Sequence, residues 1–322
     1  MRCAVTGGAG YIGSVTSSLL IDAGHEVTVV DNLTTGHRDA VPSACTFVDG
    51  DIRDQESMKE ILRGHDAVLH FAAKSIVPES VTHPDIYWDN NVGGSLALLD
   101  AMDAADVRKI VFSSTAAVYG NPVSVPIQED APTVPTSPYG ETKLAIDQAI
   151  TERAAAGLLT AVSLRYFNVA GAHGHLGERH HPETHLIPNI LESLTEPGGS
   201  GLQVYGTDWP TPDGTCIRDY VHVVDLARAH VLALGAPAAK PHTIINLGSG
   251  SGYSVKDVID AAGDVTGLPV PWTATDRRAG DPERLIASVD RAQELLDWTA
   301  QRSLRDMVED AWRFHRGRHD GT

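Results

Sequence analysis

Tyr139 and Lys143 stand four residues apart behind Pro138, so on a helix their side chains share one face. A tyrosine is a poor base at its unperturbed pKa of about 10. An ammonium beside it stabilises the phenolate and moves that value towards neutrality. Thr115 closes the run Ser113-Ser114-Thr115, where its hydroxyl can complete a Tyr–Lys–hydroxyl set. A surface helix can carry the same four-residue spacing by chance. The proton-transfer reading gains weight from what lies upstream.

Thr6-Gly7-Gly8-Ala9-Gly10-Tyr11-Ile12-Gly13 follows a strand-like run and opens a helix-like one. Gly8, Gly10 and Gly13 fit G-x-G-x-x-G, and Gly7, Gly10 and Gly13 fit G-x-x-G-x-x-G. Residues without Cβ let the backbone approach a pyrophosphate, whose charge sits at the helix N-terminus. Asp31 lies 18 residues past Gly13, at the end of the second strand-like run. A carboxylate there accepts hydrogen bonds from a ribose diol and repels a 2′-phosphate, so NAD is expected rather than NADP. Asp51 and Ile52, after the third run, are placed to reach the adenine.

The elements that must position these groups are short apolar runs at 2–6, 26–31, 45–48, 67–72, 109–114, 161–166 and 243–246, with helix-like stretches between them. Near-continuous apolar runs suit strands buried on both faces. Their alternation with helices predicts an α/β fold with a doubly wound, Rossmann-like parallel sheet. The stretch 168–219 breaks the rhythm with Gly, Pro and His and one helix-like segment at 186–194. Further helical patterns follow at 255–265 and 304–314. The expected organisation is a NAD-binding domain of 1–167 plus 220–247 and a smaller, discontinuous substrate-binding domain of 168–219 plus 248–322.

Lys and Arg total 25 against 42 Asp plus Glu, a formal charge of −17, which argues against nucleic acid or an anionic membrane as partner. An anionic substrate must therefore meet a local basic cluster. No stretch approaches the roughly 20 apolar residues of a membrane span. The sequence starts almost at once in a strand-like run, leaving no room for a signal peptide. The three cysteines, Cys3, Cys45 and Cys216, are odd in number and far apart, so no disulfide framework is expected. A cytoplasmic location follows as the expectation.

Segments 6–13, 31–33, 70–74, 89–92, 112–120, 137–143, 165–168, 213–222 and 277–281, taken together and in order, resemble the UDP-galactose 4-epimerases of the extended short-chain dehydrogenase/reductase superfamily. The resemblance implies an isomerase that moves a hydride from C4 of a UDP-hexose to NAD and back onto the opposite face of a 4-keto sugar. Tyr139 would be the base, Lys143 would lower its pKa and hold the nicotinamide ribose, and Thr115 would hydrogen-bond the sugar hydroxyl. Gly7, Gly10, Tyr11, Ile12, Gly13, Asp31, Asn32, Asp51, Ile52, Phe71, Ala72, Ala73, Lys74, Asn90 and Tyr166 would line the cofactor site. Lys74, Asn168, His185, Leu186, Tyr205, Arg218, Arg278 and Asp281 would meet the nucleotide sugar. Within that set, Arg218 and Arg278 would take the diphosphate, Asp281 the ribose and Tyr205 the uracil. Guanidinium forks match phosphate oxygens well.

The resemblance also implies a homodimer built on helices at 89–104 and 138–155. Leu285 occupies the position that gates N-acetylated sugars. Two other enzymatic readings use similar machinery. A 4,6-dehydratase needs an acid beside the catalytic Thr, but Ala116 and Ala117 follow Thr115. A 4-epimerase of UDP-glucuronate, a UDP-pentose or a UDP-N-acetylhexosamine would differ only in the sugar pocket. A catalytically silent NAD-binding sensor would keep the glycines and Asp31 without needing Tyr139, Lys143 and Thr115. The histidines at 173, 175, 180, 181 and 185 lie in a Gly/Pro loop without HExxH or nearby Cys, and no metal is expected there.

Overall fold

The structure, a computed structural model, describes residues 1–195, 201–236, 240–278 and 280–319; Ala279, inside the 277–281 segment, lies outside them. Seven apolar runs pair in parallel: Arg2–Thr6 (β1), Glu26–Asp31 (β2), Thr46–Asp49 (β3), Ala67–His70 (β4), Lys109–Thr115 (β5), Thr160–Tyr166 (β6) and His242–Leu247 (β7). Their order across the sheet is β7-β6-β5-β4-β1-β2-β3. Cys3, Val5, Val29, Leu69 and Leu164 bury one face against helices Tyr11–Asp22 and Val223–Gly235. Ala4, Val30, Val68, Ile110 and Phe112 bury the other against Gln55–Leu62, Gly94–Ala104 and Pro138–Ala155. Burial on both faces is why these runs are apolar without alternation.

The chain leaves β1 towards β2 and β3, then returns to β4 on the other side of β1. The reversal opens a crevice beyond the C-terminal ends of β1 and β4, where ligands of doubly wound sheets bind. β4 is shorter than the run 67–72 expected of it. Phe71 and Ala72 both donate their N–H to Thr6 O, at 2.9 and 3.0 Å, which turns the chain over the glycine loop. The helix expected at 89–104 is also different. Trp88–Gly93 forms a wider π-type turn, and the regular helix starts at Gly94.

Beyond β6, Asn168–Ala170 pairs with Tyr220–His222, and Ile217–Arg218 pairs with Tyr253–Ser254 and Arg284–Leu285. Helices Leu186–Thr195, Val255–Thr266 and Leu304–His319 share a second core around Ile190, Leu191, Val258, Met307 and Val308. The helix Asp290–Leu296 and Trp298 instead pack into the core of the large sheet. Trp298 is fully buried there and donates its indole N–H to Asp225 O at 2.8 Å. Among the described residues no helix is long and apolar enough to cross a membrane.

Candidate active site

Gly7 closes β1 with φ +74°, and a Cβ on it would stand 2.5 Å from Ala72 N. Only glycine fits that approach between the first loop and the end of β4. The helix that follows, Tyr11–Asp22, has Gly10 as N-cap, no side-chain cap and no acid in its first turn. A Cβ on Gly10 would meet only Gly7 O, at 3.3 Å. The helix thus presents bare N–H groups to the crevice, as an anion requires. Asp31, at the end of β2, accepts from Ala9 N at 3.0 Å and Leu33 N at 2.9 Å. Burial raises its pKa while those two hydrogen bonds pull it back. It lines the crevice, where a diol can donate to it. These features fit a dinucleotide: an uncapped helix end for its pyrophosphate and a fixed carboxylate for its ribose.

The crevice is one open cleft that runs from Asp31 to Tyr139 and Lys143. Gly7, Gly10, Tyr11, Ile12, Gly13, Asp31, Asn32, Ile52, Phe71, Ala72, Ala73, Lys74, Asn90, Tyr139, Lys143 and Tyr166 line it, all of them expected at a cofactor site. Ser75, Ser113 and His180 line it as well and were not foreseen. Asp51 is not among the lining residues. Its carboxylate is held by Arg53, at 2.7 Å, and by Asn32 Nδ2, at 3.0 Å. Hydrogen bonding to the Arg53 guanidinium drives its pKa down to about 2. It therefore orients Asn32 from outside the cleft.

At the other end, Thr115 finishes β5 and caps the tight turn Ala116–Tyr119, accepting from Ala117 N at 3.2 Å. Ser137 caps the helix Pro138–Ala155 by accepting from Gly140 N, and Pro138 takes its first turn. A Cβ on Gly140 would lie 2.7 Å from Ala117 O, so its absence lets this helix start against the Thr115 turn. That contact puts Tyr139 beside Thr115, whose hydroxyl pulls the phenol's pKa down. Lys143, one turn on, donates to Ser113 O at 2.9 Å and sits 4.9 Å from the centre of the Phe112 ring.

The electrostatics differ from the expectation in one respect. Burial pushes Tyr139 up to about 12, and Thr115 pulls it back; Lys143 is not among the causes. Burial also lowers Lys143, to about 8, against the pull of Asp147. Both groups have been stripped of water, and desolvation outweighs their mutual help in the protein alone.

Several supports went unread in the sequence. Asp147 extends the Tyr139–Lys143 stripe by one more turn and accepts from Arg165 Nη2, on β6, at 3.0 Å and from Ser114 Oγ at 3.0 Å. The Asp147 and Arg165 side chains are 3% and 4% exposed. Removing one partner of such a buried pair costs about 3–5 kcal/mol, because the other charge is left uncompensated. Asn91, fully buried in the π-type turn, accepts from Lys74 N and donates to Lys74 O and Thr142 Oγ1, which fixes Lys74 at the cleft. One Asn in the polar run Asp89-Asn90-Asn91 carries no local signal of this contact. The Tyr166 and Ser113 hydroxyls hydrogen-bond each other behind Tyr139.

The residues expected to meet the nucleotide sugar fall into two groups. The Arg278 guanidinium lies 3.8 Å from the centre of the Tyr205 ring, and Arg218 Nη2 lies 3.7 Å from Asp281 Oδ1. Arg218 also donates to Pro282 O, which fixes it on the second lobe. His185 and Leu186 stand at the entry to the helix Leu186–Thr195. His185 Nδ1 faces Glu178 Oε1 at 2.7 Å. Asn168 opens its strand directly after the β6 end, with its N–H on Asp219 O. Leu285 packs with Tyr119, Phe167 and Ala116 next to the Thr115 turn.

A dinucleotide crevice that runs without a break into a buried Tyr–Lys–Thr set defines a Rossmann-fold enzyme that moves a proton and a hydride at a carbinol. Residues 3–248 match the family model described as the NAD dependent epimerase/dehydratase family. A UDP-glucose 4-epimerase of Corynebacterium glutamicum is 54% identical over 317 residues, 98% of this chain and 95% of that one. Similar solved structures include a UDP-glucose 4-epimerase from Stenotrophomonas maltophila with bound NAD and formylated UDP-arabinopyranose. It has TM-score 0.95 and 42% identity, with all of both chains covered. Another, from Brucella ovis in complex with NAD, has TM-score 0.93 and 44% identity over 98% of each chain. The chain belongs to the NAD-dependent epimerase/dehydratase family, in its UDP-glucose 4-epimerase branch, and its cofactor is NAD.

Proposed function

We propose that this chain interconverts UDP-galactose and UDP-glucose by oxidising C4 of the hexose and reducing it again from the opposite face. The observation that carries the chemistry is the single cleft from Asp31 to Tyr139 and Lys143, which brings the hydride acceptor to the base. Bound NAD would supply the hydride acceptor and donor, and a positive charge brought beside Tyr139 would favour the phenolate of a phenol that burial holds at about 12. Tyr139 takes the C4 hydroxyl proton as the carbinol becomes a ketone and returns it when the ketone is reduced. Thr115 donates to the oxygen that carries the developing charge. Lys143, held on Ser113 O, keeps a positive charge beside the nicotinamide ribose.

On this reading Lys74, Asn168, His185, Leu186, Tyr205, Arg218, Arg278 and Asp281 receive the UDP-sugar. Arg218 and Arg278 are local cations on a chain of net charge −17. Dehydration is disfavoured, since Ala116 and Ala117 place no carboxylate beside Thr115. The second core around Ile190, Val258 and Met307 supports a two-unit division at 1–167 plus 220–247 and 168–219 plus 248–322, although the helix Asp290–Leu296 and Trp298 pack into the core of the large sheet. The chain works as a homodimer. Supporting this, Val81 on the helix Val77–Thr82, Trp88 in the π-type turn and Leu96 on the helix Gly94–Ala104 expose 62%, 42% and 38% of their surface. Free Cys3, Cys45 and Cys216 suit the reducing cytoplasm.

The test is to incubate the purified protein with UDP-galactose and no added NAD, and to follow UDP-glucose. Conversion is expected, with cofactor retained through the cycle. No conversion, even with NAD supplied, would remove this pair and make UDP-glucuronate and UDP-pentoses the next substrates to assay. UDP-N-acetylglucosamine in the same assay reads the effect of Leu285.

A further inference from the structure

The loop between Ala170 and the helix Leu186–Thr195 passes along the cofactor cleft, to which it contributes His180. Tyr11, on the glycine-loop helix, ties down its start by donating to Gly171 O at 2.6 Å. Further on, Arg179 makes two hydrogen bonds of 2.9 Å each to the Asp39 carboxylate. Between and beyond these ties the loop turns back on itself. The rings of His180 and His185 come within 5.3 Å of each other, although Pro182 lies between them.

Four side chains meet in that turn. His180 Nδ1 and His185 Nδ1 lie 2.9 and 2.7 Å from Glu178 Oε1, and His185 Nδ1 lies 3.2 Å from Glu183 Oε1. One ligand atom from each of the four falls within 4.8 Å of all the others. The two carboxylates are nearly closed off, with side chains 8% and 6% exposed. We propose that Glu178, His180, Glu183 and His185 form a binding site for one divalent first-row transition metal ion, with Zn²⁺ the best match.

The donor set and its spacing argue for this class. A tetrahedral zinc with bonds of about 2.0–2.2 Å needs its ligand atoms about 3.4 Å apart. Three separations, 2.7, 2.9 and 3.2 Å, fall short of that value and the remaining ones stay within 4.8 Å, so small side-chain rotations suffice. Two imidazoles and two carboxylates, without a thiolate, suit zinc or cobalt and select against Mg²⁺ and Ca²⁺, which take oxygen. All four come from the eight residues Glu178 to His185, so the ion would close a short loop and not bridge distant elements. Its role is to staple the strap that Tyr11 and Arg179 already tie across the cleft. No part of the hydride or proton transfer uses it. No metal pattern shows in the sequence here, since this Gly/Pro loop carries neither HExxH nor a nearby Cys.

The test uses tag-free protein dialysed against a chelator. Titration with Zn²⁺, followed by calorimetry, should saturate at one equivalent and raise the melting temperature. Co²⁺ should give the intense visible absorption of a four-coordinate site. Glu178→Gln and His180→Ala should each weaken Zn²⁺ binding by more than about 10–100-fold. His175→Ala, on the same loop but outside the cluster, should bind as the wild type does. The Co²⁺ spectrum of the wild type decides the matter even if a variant fails to fold. Absence of stoichiometric binding would overturn the proposal and leave a cluster of imidazolium–carboxylate ion pairs. So would equal binding by wild type and folded Glu178→Gln.

Discussion

A phenol held near 12 by burial must lose its proton close to neutral pH for the reaction to run. The sign is direct: a raised pKa keeps Tyr139 protonated, so activity should climb as pH rises through its value in the NAD-loaded protein and level off above it. Ultraviolet titration of NAD-stripped protein, with Tyr139→Phe as the subtraction, should show no phenolate from this residue near neutrality. Reloading NAD should move its ionisation to lower pH. Tyr139→Phe should fold, retain NAD and lose about 10²–10⁴-fold in kcat, the usual worth of a positioned base. Activity within a few-fold of wild type would take the base role from Tyr139. The Tyr139–Lys143 pair was legible because four-residue spacing is itself a chemical signal. Asp147 was not, since its meaning depends on Arg165 arriving from another strand. Asp51, expected at the adenine from its position after the third strand, also has its carboxylate held by neighbouring Arg53, a partner its position alone does not reveal.

Among the elements, the glycine loop carries the sharpest constraint. Gly7→Ala would place a Cβ 2.5 Å from Ala72 N at a φ of +74°. Backbone strain of this kind costs about 1–3 kcal/mol, and the displaced loop would also spoil the uncapped helix end. Urea unfolding should show the loss of stability, and NAD content after gel filtration should fall sharply. A variant that keeps both would mean the loop moves freely. The seven sheet strands were readable to within a residue or two because burial on both faces makes each a compact apolar run. Strands of two or three residues, such as Ile217–Arg218 and Tyr220–His222, are too short for any periodicity to show. The π-type turn at Trp88–Gly93 was read as helix, since the side-chain demand of Asn91 on Lys74 has no local signature.

For the whole molecule, the exposed Val81, Trp88 and Leu96 set the expectation of a two-copy assembly. Light scattering should return twice the mass of the 34.3 kDa chain, and Trp88→Glu with Leu96→Glu should shift it towards the single-chain value. A monomer in the wild type at assay concentration would end the dimer reading. The composition excluded polyanions as partners, but it could not say where the local cations gather. That needed the second lobe, where Arg278 covers Tyr205 and Arg218 is fixed by Pro282 O.

β7 takes its place beside β6 only after the intervening residues 167–241 have been made. During synthesis the ribosome therefore releases a nearly finished sheet whose β6 border has no neighbour. Such a border is a template for intermolecular pairing. A chain ending before His242 would leave that border unpaired, so it is expected to aggregate and not to act as a feeble version of the catalyst.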